Sequence, residues 1–315
     1  MRDRAALVPL PRGPYPAGMS NPPVVNWDDV PSRTVSAGDI AFARRRLGAA
    51  AGAARIGCSL YAVAPDARQM PVHSHGDEEE IFFVLAGDGL SWQDGTACLV
   101  APGDAVVHRP ETAAHTFLAG PGGLLLLAFA SGSDTSLTWL PRARMMWAGP
   151  RWVPVDGPHP FEAEAAAGPL ERPRPGARPE NVVAMADVQR GDRPGAAVRA
   201  LGLAAGSVLA GLNHVTLDPG VPAAPAHCHA LEEELFVVLD GAGAVTLGDE
   251  EHPLRAGDTF ARPPSTGVAH SLRAGEQGMS YLAYGTRVAG DSVYYPGRGK
   301  IRLRGLGVEI DAAAG

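Results

Sequence analysis

The chain has 315 residues, of which 45% are hydrophobic and 19% charged, and its formal net charge is −7 at pH 7. This length is typical of about two domains, and the composition is that of a globular protein rather than a disordered one. A nucleic-acid partner is not expected, because the binding of phosphates requires a basic surface.

Features of the sequence also bear on its location. Residues 1–20 contain no apolar segment of signal-peptide length, and the longest apolar run, at residues 124–130, is too short to span a bilayer. The three cysteines, Cys58, Cys98 and Cys228, give neither a disulfide framework nor zinc-finger spacing, which favours a reducing compartment. We therefore expect a soluble, non-secreted protein of the cytoplasm, without a membrane partner.

The two halves of the chain repeat each other. Residues paired at an offset that grows by one in the second part of the repeat are Arg45 and Arg199, His73 and His227, Glu80 and Glu234, Gly87 and Gly241, His115 and His270, and Pro141 and Pro296. A register held over so long a stretch indicates a duplicated domain. The predicted domains cover residues 20–150 and 178–315, joined by a linker at residues 151–177 that is rich in proline and glycine.

Within each half the pattern is that of short strands. Runs of β-branched and aromatic residues, such as residues 81–85 and 235–239, are followed closely by glycine-rich turns. About eight such runs per half predict an all-β fold of two antiparallel barrels, since closure of a sheet removes its exposed edges.

Each half carries a His-x-His pair, then a glutamate, and later a third histidine. The first set is His73, His75, Glu80 and His115, and the second is His227, His229, Glu234 and His270. Side chains two positions apart on a strand point to the same face, so each pair can reach one point. Three imidazoles and one carboxylate suit a divalent first-row metal ion, and an octahedral ion would keep two positions open. A closed structural zinc site would more often use thiolates.

These patterns resemble the motifs of the cupin superfamily. The spacing from the histidine pair through the glutamate to Gly87 or Gly241 matches the first motif, and the turn and proline before His115 and His270 resemble the second. The second motif departs from the family in its glycine spacing and lacks the final asparagine in both halves. The resemblance covers both domains and implies two tandem double-stranded β-helix (jelly-roll) barrels. Fe(II) is the first choice of metal in each barrel, with Mn, Ni, Zn or Cu as alternatives.

Each ligand glutamate lies in a run of three, at residues 78–80 and 232–234. The spacing to the following glycine selects Glu80 and Glu234. Strand alternation then places Glu79 and Glu233 on the opposite face of the strand, where we expect them to meet solvent.

Several polar and aromatic residues near the motifs are candidates for substrate contacts at the barrel mouths, with core packing as the alternative for each. They are Tyr61, Trp92, Asn213, His214, Arg262, Phe236, Tyr281 and Tyr284. His108 and His214 are also candidates to line a cavity. The larger number of polar groups in the second half favours the second barrel as the active one. Residues 139–141 and 294–296 occupy matching places and predict arms that cover a barrel or dock on the other domain.

The resemblance leaves the reaction open, because cupins include oxygenases, decarboxylases, isomerases, lyases and binding proteins. Our first hypothesis is a non-haem iron oxygenase of the dioxygenase type, acting on a small organic substrate. One alternative is a non-oxidative metal-dependent lyase, decarboxylase or isomerase. Another is a small-molecule-binding protein that retains its metals. The substrate, the native metal and a homodimeric assembly are left open.

Overall fold

The computed structural model of the protein describes residues 23–132, 136–148, 151–153 and 158–312. The start of the predicted first domain, at residue 20, and part of the predicted linker lie outside these residues. Strands dominate the described chain, and the predicted all-β fold of two jelly-roll barrels is confirmed.

The first half of the described chain contains twelve strands. They are β1 (Val25–Asn26), β2 (Ser32–Ala37), β3 (Ile40–Arg45), β4 (Gly57–Val63), β5 (Ser74–His75), β6 (Glu80–Gln93), β7 (Thr96–Val100), β8 (Asp104–His108), β9 (His115–Ala130), β10 (Leu137–Leu140), β11 (Met145–Ala148) and β12 (Arg151–Val153).

The second half of the described chain repeats this series. Its strands are β13 (Val182–Ala184), β14 (Arg190–Arg193), β15 (Ala196–Arg199), β16 (Ala210–Leu217), β17 (Cys228–His229), β18 (Glu234–Leu247), β19 (Glu250–Arg255), β20 (Asp258–Arg262), β21 (His270–Thr286), β22 (Ser292–Tyr295), β23 (Lys300–Leu303) and β24 (Val308–Asp311).

Helices are few and short in the described residues. They are α1 (Leu47–Ala50), α2 (Pro160–Ala166), α3 (Leu201–Ala204) and the 3₁₀ turns Met185–Asp187 and Pro296–Arg298. Among the helices described, none has the length and apolar character that a membrane span requires.

Each barrel consists of one large and one small antiparallel sheet. In the first barrel the large sheet has the order β13-β8-β6-β9-β4-β3-β2, with β7 also paired to β6, and the small sheet is β12-β11-β10-β5. In the second barrel the large sheet has the order β1-β20-β18-β21-β16-β15-β14, with β19 also paired to β18, and the small sheet is β17-β22-β23-β24. The sheet order therefore follows the sequence repeat.

Two short strands cross between the barrels. β1, at the N-terminal end of the described chain, pairs with β20 of the second barrel and places Val25 opposite Thr259. β13, which follows the linker, pairs with β8 of the first barrel and places Val182 opposite Val106. Each large sheet thus contains one strand from outside its own predicted domain range, an exchange that ranges drawn in chain order do not anticipate.

The three largest apolar cores of the described residues stabilise this arrangement. One fills the first barrel around Phe82 and Phe117, and another fills the second barrel around Phe236. The third lies between the barrels and combines side chains of both, with Phe129 stacked on Tyr284 at a ring-centroid distance of 5.1 Å. Burial of apolar surface at about 25 cal/mol per Å² makes this shared core a major term in holding the barrels together.

Glu79 and Glu233 are buried between the barrels, so the prediction that they face solvent is wrong. Their exposed fractions are 0% and 1%. Glu79 accepts hydrogen bonds from Ser207 Oγ and from the backbone N–H groups of residues 208–210. Glu233 accepts from the backbone N–H groups of residues 54–56. Alternation does turn both side chains away from their barrel interiors, but the other barrel rather than water covers that face.

The motif glycines occupy positions that only glycine can fill. Gly87 and Gly241 have φ angles of +79° and +78°. A Cβ atom on Gly87 would lie 2.2 Å from the carbonyl oxygen of Gly123, and one on Gly241 would lie 2.3 Å from that of Gly278. The left-handed backbone and the close approach of the paired strand together explain the glycine after each ligand glutamate.

The segment that follows α2 is irregular, as its prolines predict, but it packs on the first barrel. The backbone N–H of Leu170 donates to the carboxylate of Asp39. Farther along, Arg178 Nη2 lies 2.6 Å from Asp104 Oδ2. The described part of the linker is therefore bound to one barrel rather than suspended between the two.

Candidate metal centres

The first predicted ligand set converges at one end of the first barrel. His75 lies on β5, Glu80 begins β6 and His115 begins β9, while His73 pairs with His115 in an isolated bridge just before β5. The Oε2 atom of Glu80 lies 3.4 Å from Nε2 of His73, 3.2 Å from Nε2 of His75 and 3.0 Å from Nε2 of His115. One carboxylate oxygen thus stands beside all three imidazoles.

The second set repeats this arrangement in a more open form. Oε2 of Glu234 lies 4.0 Å from Nε2 of His227, 3.5 Å from Nε2 of His229 and 3.2 Å from Nε2 of His270. As in the first barrel, the His-x-His strand and the starts of two long strands supply the side chains.

These donor atoms fit a divalent metal ion. Atoms bound at about 2.1 Å on neighbouring octahedral positions of one ion lie about 3 Å apart, which is close to the separations in the first set. In the second set, Oε2 of Glu234 and Nε2 of His270 are buried and make no hydrogen bond within the described residues. Buried polar atoms of this kind normally have a partner, and a shared cation would satisfy both.

The charge states of the side chains also suit a cation. Burial alone would raise the pKa of Glu80, but the neighbouring histidines lower it well below its usual range. Burial also favours a higher pKa for Glu234, but its three histidine neighbours lower that pKa to about 2. Burial lowers the pKa of His115 to about 4, against the stabilising hydrogen bond with Glu80. The sites therefore combine ionised carboxylates with a neutral imidazole, which is the protonation state that metal ligands require.

In His73 and His227, a backbone contact at Nδ1 determines which ring nitrogen faces the cluster. Nδ1 of His73 lies 2.8 Å from the carbonyl oxygen of Pro71, and Nδ1 of His227 lies 2.9 Å from that of Pro225. A carbonyl oxygen can only accept, so Nδ1 carries the hydrogen and Nε2 keeps its lone pair for the centre of the cluster.

The two strands that follow the barrels at matching places pack on the His-x-His strands. β10 pairs with β5, placing Thr138 opposite His75. β22 pairs with β17, placing Val293 opposite His229. The predicted arms are therefore strands of the small sheets, and each lies beside a predicted ligand of its own barrel.

The first barrel is closely packed behind its cluster. The ring of His108, opposite Glu80 in the strand register, stacks flat on His115 with centroids 3.6 Å apart and an interplanar angle of 2°. Phe82 packs against both histidine rings. Burial, and to a smaller extent the neighbouring His115, lowers the pKa of His108 well below its usual range. This imidazole is therefore neutral.

The second barrel has Arg262 at the position that His108 occupies in the first. Arg262 lies opposite Glu234 in the strand register and lines a narrow cleft with His229, Glu234, His270 and Val268. Its Nη2 donates to the carbonyl oxygen of Val268 at 2.7 Å, whereas its buried Nε has no hydrogen-bond partner within the described residues. The cleft is narrow, and the side chains that line it leave no room between them for a water molecule.

Some of the remaining substrate candidates face the barrel interiors. Tyr281 and Phe236 belong to the core of the second barrel, and Phe236 lies 5.4 Å from the His270 ring. Asn213 lies two positions before the core residue Val215 on the same strand, so it shares the interior face and is half-buried. In the first barrel, Tyr61 is buried in the interior core.

Three candidates do not face the barrel interiors. Tyr284 belongs to the core between the barrels. His214 shares its strand face with Leu212, which lies in that same core, and so points away from the interior of the second barrel. Trp92 packs beneath Leu170 of the linker on the outside of the first barrel. In each case the sequence shows which side chains share a face of the strand. It does not show which of the two faces is inside, because that depends on the bulges in β6 and on packing in the second barrel.

Sequence reasoning missed the residues that contact the histidines from behind. Nδ1 of His229 lies 2.7 Å from Oδ2 of Asp291, and Nδ1 of His75 lies 3.2 Å from Oγ1 of Thr138. Both partners lie in or next to the arms, which the repeat had singled out. The pairing of each arm with its His-x-His strand was needed to bring them to the site.

Comparison with known proteins is consistent with this architecture. The Cupin domain family model matches residues 59–126 and 213–283. No curated protein matches the chain. Among solved structures, the oxalate decarboxylase formate complex of Lactobacillus farciminis aligns with a TM-score of 0.61 at 15% identity, covering 89% of this chain and 90% of that one. The oxalate decarboxylase of Bacillus subtilis at pH 4.6 aligns with a TM-score of 0.57 at 14% identity, covering 85% and 76%. Likeness at this identity shows a shared fold.

Proposed function

Because the chain belongs to the cupin superfamily, with a histidine and glutamate set in each of two barrels, we propose that it is a metal-dependent enzyme acting on a small carboxylic acid without oxidation. The reaction class is that of a decarboxylase or related lyase, and the second barrel carries it. The observation on which this rests is the guanidinium of Arg262 beside the second cluster.

Each barrel would hold one divalent ion through three histidines and one glutamate. The proposed ligands are His73, His75, Glu80 and His115 in the first barrel and His227, His229, Glu234 and His270 in the second. A bound divalent ion supplies Lewis-acid stabilisation of negative charge on substrate oxygens. Fe(II), the sequence-based choice, and Mn, Ni, Zn or Cu all accept nitrogen and oxygen donors of this kind.

Arg262 gives the second cleft a feature that recognises a carboxylate. Its guanidinium carries a permanent charge and donates in a planar fork that matches carboxylate geometry. The hydrogen bond to Val268 fixes one side of the fork, and the unpartnered Nε is free to donate to a bound anion. Arg262 would bind and orient the substrate, while Val268 at the cleft wall would exclude water.

The first barrel lacks this feature, which supports a division of roles. His108 replaces Arg262 in the strand register and is neutral and stacked on His115. No permanent cation therefore takes the place of Arg262 beside the first cluster. The first metal would then serve mainly to stabilise its barrel.

Substitution of Arg262 tests the proposal. We expect protein loaded with Mn²⁺ to release CO₂ from at least one acid in a panel of short mono- and dicarboxylic acids, with oxalate included, under strict anaerobiosis. Arg262→Ala should lower kcat/KM about 10- to 100-fold, because a hydrogen bond to a charged group contributes about 1.5–3 kcal/mol. The matched control is Arg273→Ala, since Arg273 lies on β21 of the same barrel but is exposed and donates to the carbonyl of residue 220.

The same experiment separates the alternatives left open by the sequence. Turnover that requires oxygen and added Fe(II) would contradict the proposal and favour the iron oxygenase. Binding of an acid without product under either atmosphere would favour the small-molecule-binding protein. Equal activity of Arg262→Ala and the parent would remove the support for a carboxylate substrate in the second barrel.

A further inference from the structure

The two histidines at matching positions, His75 and His229, differ in their partners at Nδ1. Nδ1 of His229 is 2.7 Å from Oδ2 of Asp291, a carboxylate that is fully buried. The other carboxylate oxygen of Asp291 accepts the backbone N–H groups of residues 231 and 232, which fixes its orientation. Nδ1 of His75 instead meets the neutral hydroxyl of Thr138 at 3.2 Å.

The sequence repeat locates the origin of this difference. Asp291 occupies the place that Ser136 has in the first barrel, two positions before the residue that faces the histidine across the small sheet. A second carboxylate lies at a similar distance in both barrels, since Glu78 is 3.4 Å from Nδ1 of His75 and Glu232 is 3.7 Å from Nδ1 of His229. These matching glutamates do not distinguish the sites, whereas Asp291 does.

The cluster of His229, Glu232 and Asp291 does not suit a metal ion of its own. Arg304 contacts Glu232, and its Nη1 lies 3.7 Å from Oδ2 of Asp291, so a cation is already present beside these carboxylates. Nδ1 of His229, with Asp291 as acceptor, carries the hydrogen and offers no lone pair on this side. The carboxylate of Asp291 therefore acts on the imidazole.

We propose that Asp291 is a positioning residue that raises the affinity of the second site for divalent metal, a function that Ser136 does not perform in the first. A carboxylate that accepts the Nδ1 hydrogen holds the imidazole in one tautomer and orientation and makes Nε2 a stronger donor to the metal. In the second barrel the geometry brings these effects to His229.

Mn²⁺ binding to single-site variants tests this inference, which relies on the metal sites of the proposed function but not on its substrate or reaction. His75→Ala disables the first site and leaves the second, and His229→Ala does the reverse. Free Mn²⁺ is followed by electron paramagnetic resonance during titration of each full-length variant. We expect Asp291→Asn to weaken Mn²⁺ binding about 10- to 100-fold in the His75→Ala background, and by less than about twofold in the His229→Ala background.

Asp258→Asn is the matched control. Asp258 is a buried aspartate of the same barrel that accepts hydrogen bonds from Arg255 and Asn26 and touches no predicted ligand. Its substitution should change Mn²⁺ affinity by less than about twofold in either background. Asp291→Ser, which gives the second barrel the residue of the first, should act in the same direction as Asp291→Asn.

The outcomes separate the two claims. An Asp291→Asn variant that binds Mn²⁺ as tightly as its His75→Ala parent overturns the role of Asp291 and leaves the metal sites intact. Equal weakening in both backgrounds, or by Asp258→Asn, also overturns it, since the effect would then be one of general stability. Parents that bind no Mn²⁺ at all overturn the metal sites and this inference together.

Discussion

Glu79 and Glu233 each bring a buried carboxylate to backbone N–H groups of the opposite barrel. Each is the immediate neighbour of a proposed metal ligand, so the strand that positions the ligand is also bound to the other barrel. Strand alternation predicts that neighbouring side chains point to opposite faces. It carries no information about what covers the outer face, because that depends on packing between segments far apart in the chain.

We expect Glu79→Ala and Glu233→Ala each to lower the free energy of unfolding by about 2–4 kcal/mol. The substitution leaves several backbone N–H groups of the opposite barrel without their carboxylate acceptor in a buried interface. Urea unfolding followed by circular dichroism measures the change. Glu250→Ala serves as the control, because the Glu250 side chain is 82% exposed. A loss below about 1 kcal/mol for both buried glutamates would contradict the structural role assigned to them.

At the scale of elements, the duplicated strands could be predicted because their causes are local. Apolar runs, turn residues and the spacing of His73, His75 and Glu80 all lie within one or two strands. The facing of Trp92 could not be predicted, since two register shifts in β6 change the alternation along that strand. The glycines are an intermediate case, in which a motif position is visible in the sequence and its reason appears only with the paired strand.

Gly87→Ala and Gly95→Ala separate the two reasons for a glycine in a left-handed conformation. Both residues have positive φ, at +79° and +85°, but a Cβ on Gly95 would meet nothing within 4 Å. We expect Gly95→Ala to cost about 1 kcal/mol of stability, from backbone strain alone. Gly87→Ala should cost at least about 2 kcal/mol more, because its Cβ meets the backbone of β9. Equal thermal unfolding shifts for the two variants would show that the close approach is relieved without cost.

At the scale of the whole molecule, the barrels share a core and exchange β1 and β13. The sequence repeat predicts two similar barrels, and the strand patterns predict an apolar core inside each of them. The exchange could not be predicted, because strands as short as Val25–Asn26 and Val182–Ala184 give little pattern to read. Their partner strands, β20 and β8, lie far from them in the chain.

A chain cut in the linker should therefore remain one particle. With a specific protease site inserted after Gly176, in an exposed part of the linker, cleavage should leave the two fragments together through size-exclusion chromatography without denaturant. The shared apolar core and the hydrogen bonds of Glu79 and Glu233 to the opposite barrel would hold the fragments together. Fragments that separate at micromolar concentration would show that the covalent link, rather than the interface, keeps the barrels paired. Uncut protein carrying the same insertion is the control.

Because β1 and β13 are exchanged between the barrels, the single chain has the arrangement of a domain-swapped dimer. Each barrel lends the other a strand, as two identical subunits do when they exchange an element. Because the two halves are now encoded separately within one chain, they can diverge while their symmetry is kept. Two differences of this kind separate the halves. Asp291 of the second barrel takes the place of Ser136 in the first, and Arg262 takes the place of His108. A symmetric dimer of a single barrel could not hold these differences, since every substitution would appear twice.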